Sequence, residues 1–172
     1  MKNYIKLSIL SLSLVGLASC DMDAPSISAL DESSVFATYS LAESEVMSIH
    51  VSFGETNSYR GRFLSWIGLN SDIEWYNTYK PTDEKYQIAG YSLLPNNSQL
   101  NLNNGPFAKM YEGIERANLC IEGIREYGDI EHNSDMAYLL GEALTLRALI
   151  YYDLTRAWGD VPARFSSTTS ET

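Results

Sequence analysis

Apolar side chains recur at helical spacing over two long stretches near the end of the chain. The stripe of the first stretch comprises Phe107, Met110, Ile114, Ala117, Ile121 and Ile124. Spacings of three and four residues place such side chains on one face of a helix. Pro106 suits the first turn, where its missing N–H would be unpaired anyway. Gly128 is the expected terminator because glycine takes the left-handed conformation without penalty.

A second helical pattern opens with Ser134 as its expected cap and runs to about Trp158. One stripe comprises Met136, Leu140, Leu144, Tyr151, Leu154 and Trp158, and much of another comprises Leu139, Leu146, Leu149, Ile150 and Tyr152. A helix that is apolar on most sides is usually packed between neighbours. The short link between the two patterns predicts an antiparallel helix pair.

The pattern is weaker upstream of residue 106. Asp31 or Ser33 can cap a helix whose partial apolar stripe ends near Gly54, and this predicts one helix over residues 31–54. The apolar run 63–69 is too short to decide between a buried helix and a strand. Residues 81–106 are rich in Pro, Gly and Asn, which predicts loops. The expected fold class is therefore mainly all-α.

The first residues have the features of an export signal. Two lysines precede an apolar and hydroxylated run over residues 7–17, which is shorter than the about 20 residues of a membrane-spanning helix. Leu17-Ala18-Ser19-Cys20 resembles the bacterial lipobox, in which the cysteine is lipidated and becomes the first residue. We expect a signal peptide at 1–19 and a lipidated tether at 20–30. An ordinary cleaved signal with a chance cysteine is the alternative.

Removal of this signal changes the charge and leaves one thiol. Residues 1–19 contain two lysines and no acid, so the formal net charge goes from −10 to −12. Nucleic acid is excluded as a partner because its binding needs clustered Lys and Arg. Membrane attachment would come from acyl chains alone. With Cys20 lipidated, Cys120 has no partner for an internal disulfide.

Residues 141–162 carry the most distinctive motif, with the sequence GEALTLRALIYYDLTRAWGDVP. It resembles the helix and turn that mark the SusD/RagB family of nutrient-binding outer-membrane lipoproteins. The matching positions are Glu142, Arg147, Ala148, Tyr151, Gly159, Asp160 and Pro162. Upstream, Tyr111 and the run 116–118 resemble the family's preceding helix.

This resemblance implies tetratricopeptide-like helix pairs with a loop-rich ligand-binding lobe. It assigns residues 31–165 to a SusD-like amino-terminal helical domain, followed by a polar tail at 166–172. Members of the family are much longer than this chain, so we expect an amino-terminal portion that is incomplete at its carboxy end.

The hallmark residues are expected to be structural. Glu142 and Arg147 lie among apolar neighbours, where a charge needs a partner or hydrogen bonds. We therefore expect both to bind backbone or neighbouring side chains instead of substrate. Gly159 to Pro162 is typical of a helix stop, with Gly159 supplying the unusual dihedral.

The function implied by the resemblance is capture without catalysis. Such a protein would hold an oligosaccharide at the outer face of the outer membrane and deliver it to a SusC-like TonB-dependent transporter. Asp21 and Asp23, just after Cys20, resemble a surface-export signal. A peptide ligand is an alternative. A surface glycosidase, which needs two carboxylates about 5–10 Å apart, and a periplasmic helical scaffold are others.

Candidate ligand residues are concentrated in the segment 66–79. It combines aromatic faces, which suit the apolar sides of pyranose rings, with amides and carboxylates for hydroxyl groups. The candidates are Trp66, Asp72, Trp75, Asn77 and Tyr79, with Trp75 as the expected stacking platform. The alternative is that these aromatic rings pack on the helical scaffold.

No cofactor or metal site is expected from the motifs. His50 and His132 lack a metal-ligand spacing. The acids between residues 129 and 135 superficially resemble a calcium loop. Ser134 then stands where that loop needs Gly, and Leu140 where it needs Glu.

Overall fold

The computed structural model describes residues 31–69, 71–75, 80 and 82–168. Its helices are α1 (Glu32–Phe36), α2 (Tyr39–Gly54), a π-helical segment (Tyr59–Phe63), α3 (Leu64–Leu69), α4 (Glu84–Ala89), α5 (Ser98–Asn101), α6 (Pro106–Tyr127) and α7 (Ser134–Trp158). No strand occurs among the described residues, and the expected all-α class is confirmed. The predicted signal peptide, Cys20 and most of the tether lie outside them.

The two long helices have the bounds that their apolar periodicity predicts. They are antiparallel: Gly128 lies beside Met136 at one end, and Phe107 packs against Trp158 at the other. Ser134 is the first helical residue and not the cap. The cap is Asn133, whose side-chain oxygen accepts from the backbone N–H groups of Asp135 and Met136 at 3.2 and 3.3 Å.

The main apolar core lies where α2 packs against both long helices. Its fully buried side chains include Val46, Ile49, Met110, Ile114, Ile121, Ile124, Met136, Ile150 and Leu154. A second, smaller cluster joins Trp66, Ile88 and Leu100, from α3, α4 and α5. Trp158 packs against both clusters, so the end of α7 connects them.

The predicted single helix over residues 31–54 is wrong. The chain is interrupted after α1, and Thr38 takes an extended conformation with φ −111° and ψ 116°. The interruption lets Phe36 turn inward against α6 at Gly123, while α2 packs between the long helices. Asp31 occupies the N-cap position, but its carboxylate accepts from the Ser33 hydroxyl instead of a backbone N–H.

Two further expectations need correction. The segment 81–106 contains α4 and α5, because Asp83 and Asn97 act as helix caps and not as breakers. Their side chains accept from the backbone N–H groups of Lys85 and Gln99 at 2.9 and 3.1 Å. At the end of α6, Gly128 keeps a right-handed φ of −83° and Asp129 takes the positive value of 45°.

Other features agree with the expectations or decide between them. The undecided run 63–69 is helical, and Gly159 has the expected positive φ, at 76°. None of the helices in the described ranges is long and apolar enough to span a bilayer.

Candidate ligand-binding surface

Trp75 lies open to solvent after α3. Its side chain is 62% exposed. The indole meets the Tyr86 ring of α4 at right angles, with ring centroids 6.2 Å apart and an interplanar angle of 88°. This edge-to-face geometry is a favoured aromatic contact that leaves ring surface uncovered. Tyr86 therefore orients the ring, which is still accessible to solvent.

The segment that carries Trp75 folds back on α3. Gly68, near the end of that helix, faces the carboxylate of Glu74, and a Cβ atom at position 68 would overlap it. A side chain at this position would require the carboxylate end of the Glu74 side chain to move.

The other predicted ligand residues have different surroundings. Asp72 is exposed in the same segment as Trp75. Trp66 is 6% exposed and packs in the small cluster with Ile88 and Leu100, so it is not an open platform. Asn77 and Tyr79 lie outside the described residues. Of the three candidates within the described residues, Trp75 and Asp72 share one exposed segment and Trp66 does not belong to it.

Next to the small cluster is a pocket of about 390 Å³ that the sequence did not predict. Its lining residues are Phe63, Trp66, Ile67, Ile88, Tyr91, Leu93, Leu100, Arg156 and Ala157. The pocket is built from three regions separated by up to about 90 positions of sequence. No local motif marks such a site, since each contribution taken alone is an ordinary apolar run.

The hallmark residues Arg147 and Tyr151 bind the final described segment, residues 160–168, here called the strap. Arg147 Nη1 donates to the carbonyl of Phe165 at 3.3 Å, and its guanidinium lies 5.2 Å from the centre of the Phe165 ring. Burial lowers the pKa of the Arg147 guanidinium. The Tyr151 hydroxyl donates to the carbonyl of Arg164 at 2.7 Å and accepts from its N–H at 2.7 Å.

Helix α6 also bonds the strap. The Tyr111 hydroxyl donates to the carbonyl of Pro162 at 2.6 Å. Asn118 Nδ2 donates to the carbonyls of Ser166 and Arg164 at 2.8 and 3.3 Å. The strap therefore lies against both long helices and has backbone bonds to each.

The start of the expected polar tail is also bonded to α6. The backbone N–H groups of Ser167 and Thr168 donate to the carboxylates of Glu122 and Glu115, each at 2.8 Å. Ser167 is fully buried. These two acids thus bind backbone, and their carboxylates are occupied within the fold.

The remaining hallmark positions lie apart from the strap contacts. Glu142 Oε1 is 2.8 Å from His50 Nε2 of α2, which links α7 to α2. Ala148 and Asp160 are exposed, and Gly159 ends α7 with its positive φ. The contacts of Glu142, Arg147 and Tyr151 are all with other parts of the scaffold.

Groups suited to covalent or metal chemistry are not assembled in the described ranges. Cys120 is 2% exposed, and burial raises the pKa of its thiol to about 12, so the thiolate nucleophile is disfavoured. Among the residues that the structure describes, no three His, Cys, Asp or Glu side chains form a group that could hold a metal ion.

The described residues form a helical scaffold that presents an open aromatic ring. Comparison with known proteins gives the family. A family model, SusD-like, described as starch-binding and associating with the outer membrane, matches residues 29–172. The chain therefore belongs to the SusD-like family, and the resemblance inferred from its hallmark residues is confirmed. This is a family of binding proteins associated with the outer membrane.

One curated relative is the SusD-like protein P38 of Formosa agariphila. It is 36% identical over 107 residues, which cover 61% of this chain and 19% of that relative. The aligned part is thus about a fifth of the relative's length. No solved structure matches the chain.

Proposed function

We propose that this chain is the amino-terminal part of a surface lipoprotein that binds oligosaccharides and delivers them to a SusC-like TonB-dependent transporter without catalysing a reaction. The observation that carries the proposal is the exposed, oriented ring of Trp75 in a chain of a starch-binding family. The proposal further includes the residues that contact the ligand, the lipid anchor at Cys20 and the SusC-like transporter as partner.

The chemistry around Trp75 suits a sugar. The apolar face of a pyranose ring can cover an indole ring, and large aromatic side chains contribute much of the energy of such contacts. Asp72 offers an exposed carboxylate that accepts from sugar hydroxyl groups, and hydrogen bonds to charged acceptors are stronger than neutral ones. By sequence, Asn77 and Tyr79 follow closely enough to extend the same surface.

The ligand is tested by affinity electrophoresis of the purified chain in gels that contain single polysaccharides. We expect retardation by at least one glycan, and loss of that retardation in Trp75→Ala. Tyr138→Ala is the matched control, because Tyr138 is a 72% exposed aromatic residue on α7, outside the segment 66–79.

Other results of this experiment would redirect the proposal. No retardation by any glycan, with binding of peptides in a parallel titration, would replace the sugar by a peptide. Retardation that survives Trp75→Ala would show that the glycan-binding site does not include Trp75. Release of reducing ends by the purified chain would instead support a glycosidase.

Anchoring and orientation are tested in cells. We expect incorporation of labelled palmitate that is lost in Cys20→Ala and kept in Cys120→Ala, since Cys120 is buried. Protease added to intact cells should remove the protein if it faces outward. Survival of the protein until the outer membrane is permeabilised would support the periplasmic alternative.

The transporter is tested by affinity purification from detergent-solubilised outer membranes. We expect a TonB-dependent barrel to copurify with the tagged full-length protein. Recovery of the lipoprotein alone, under conditions that preserve other outer-membrane complexes, would contradict the delivery step and leave ligand capture as a separate function.

A further inference from the structure

The pocket beside the small apolar cluster is a second candidate site, and Trp75 is not among the residues that line it. We propose that it binds a small amphiphilic anion, with a ring-sized apolar body inside the pocket and a carboxylate or sulfonate at Arg156. The proposal goes beyond oligosaccharide capture and does not depend on it.

The floor of the pocket is apolar. Phe63, Trp66, Ile88 and Leu100 are all buried side chains of the core. A sugar in this position would bury hydroxyl groups without partners, which costs about 1–3 kcal/mol for each unsatisfied group. The volume of about 390 Å³ lies within the range of about 300–1,000 Å³ that is usual for small-ligand sites. The floor therefore favours an aromatic or alkyl body.

The charge at the pocket comes from α7. Of the described residues that line the pocket, Arg156 alone is charged. Its side chain is 57% exposed, its carbon Cζ lies 5.2 Å from the centre of the Tyr152 ring, and Nη1 is 3.6 Å from Asp153 Oδ1. Asp153 forms an ion pair with Arg156 at this distance, which is too long for a hydrogen bond, so the N–H donors of the guanidinium are open to a ligand.

Charge complementarity gives the chemical class of the ligand. The chain has 22 acidic and 12 basic side chains, so a cation at an apolar pocket is a local exception. A guanidinium binds a carboxylate or sulfonate by paired, charge-assisted hydrogen bonds. A neutral hydrophobic ligand would use the floor and leave this group unused.

The rim includes a residue of the turn that ends α4. Tyr91 has φ 53°, the left-handed conformation typical of a helix end, and the Ser92 N–H donates to the Gln87 carbonyl at 2.9 Å. The Tyr91 ring is exposed. Tyr91, Ile67 and Leu93 form the apolar rim around the opening.

The test uses two fluorescent probes with the same ring system. 8-Anilinonaphthalene-1-sulfonate carries an anion, and N-phenyl-1-naphthylamine lacks it. We expect the purified chain to bind both saturably at one site. Arg156→Gln should weaken binding of the sulfonate probe about tenfold and that of the neutral probe less than twofold. Arg125→Gln, the same change at an exposed arginine of α6, should alter neither.

A second pair of variants locates the site. Ala157→Leu adds volume at the pocket from an exposed position and should weaken both probes, whereas Ala148→Leu, exposed on the same helix but outside the lining, should weaken neither. Near-ultraviolet circular dichroism of each variant establishes that its fold is kept. Sedimentation velocity at the same protein concentrations establishes the oligomeric state.

Several results would overturn the proposal. Failure of both probes to saturate, or binding unaffected by Ala157→Leu in a folded variant, would remove the pocket as a ligand site. Equal weakening of the binding of both probes in Arg156→Gln would show that Arg156 does not recognise the anionic group of the ligand. A dimer that Ala157→Leu dissociates would make a second copy of the chain the occupant.

Discussion

Arg147 of α7 and Asn118 of α6 are joined by a hydrogen bond of 2.7 Å from guanidinium Nη1 to the amide oxygen. The bond orients the Asn118 amide, so that its Nδ2 atom donates to the strap carbonyl of Ser166 at 2.8 Å. Asn118 is fully buried. One side chain thus connects the second long helix, the first long helix and the strap.

Replacement of Asn118 by Ala should lower the free energy of unfolding by about 2–4 kcal/mol, because the substitution leaves Arg147 and the strap carbonyls without their partner. Urea unfolding measures the change. Asn104→Ala, at an exposed position before α6, should change stability by less than about 0.5 kcal/mol. An Asn118→Ala chain as stable as this control would show that water replaces the amide at no cost.

Two glycines in long helices should respond in opposite directions to the same substitution. A Cβ atom at Gly123 would overlap the Phe36 ring, so Gly123→Ala should destabilise the fold by about 1–3 kcal/mol. Gly141 has open space around it in α7, so Gly141→Ala should stabilise the fold by about 0.5–1 kcal/mol. Denaturation midpoints measure both. A stabilising Gly123→Ala would show that the Phe36 ring of α1 does not lie directly against Gly123.

Stability should depend on pH through Cys120. An unfolded thiol ionises near pH 9.0, whereas the folded one has a pKa of about 12. Unfolding therefore releases a proton in this interval, and the free energy of unfolding falls as pH rises above 9. Between pH 8 and 10 the thiol accounts for a loss of about 1 kcal/mol.

Tyrosine hydroxyls also ionise in this pH range, and the Cys120→Ala variant keeps all of them. The difference in pH dependence between the two proteins therefore isolates the contribution of the thiol. Urea unfolding at pH 8, 9 and 10 should give a smaller loss in the variant. Parallel curves for the two proteins would contradict the buried, protonated thiol.

In protein isolated from membranes, denaturation should expose one titratable thiol per chain if Cys20 is lipidated, and two if it is free.

Trp158 should contribute more to stability than its partial exposure indicates, because it joins the two apolar clusters. Its Nε1 atom donates to Asn101 Oδ1 at 3.1 Å, and its ring stacks on Phe63 with centroids 6.1 Å apart. Trp158→Phe should cost about 1 kcal/mol for the lost hydrogen bond, and Trp158→Ala about 3–5 kcal/mol. Amide exchange in α5 should accelerate in both variants.

The control for this series is Trp75→Ala, which removes the same type of side chain from an exposed position. It should unfold within about 0.5 kcal/mol of the unaltered chain. The same measurement establishes that a loss of glycan binding in that variant is not a loss of fold. A Trp158→Ala chain as stable as Trp75→Ala would mean that the small cluster holds without α7.

The long helices were predictable because their apolar periodicity extends over many turns. Over α6 and α7, this repeated signal outweighs any single residue. The error over residues 81–106 arose from single residues with two possible roles. Asp83 and Asn97 belong to types that favour turns, but the same short polar side chains cap helices.

The candidate site was predictable only in part. Trp66 and Trp75 are nine positions apart and of the same type, yet one is buried and the other open. The difference comes from Ile88 and Leu100, which cover Trp66 and lie at least 22 positions away from it. Local sequence does not contain this information. The pocket was missed for the same reason, because Arg156 approaches it from the end of the last helix.

The strap has a consequence for how the long helices find their alignment. It binds α6 through Tyr111 and Asn118 and α7 through Arg147 and Tyr151, and two of these bonds close intervals of 51 and 46 residues. Sliding one helix by a single turn, about 5.4 Å, would carry its donors out of reach of the strap carbonyls. A misaligned pair would therefore leave residues 160–168 undocked. Docking of the strap thus requires the correct register of the two helices.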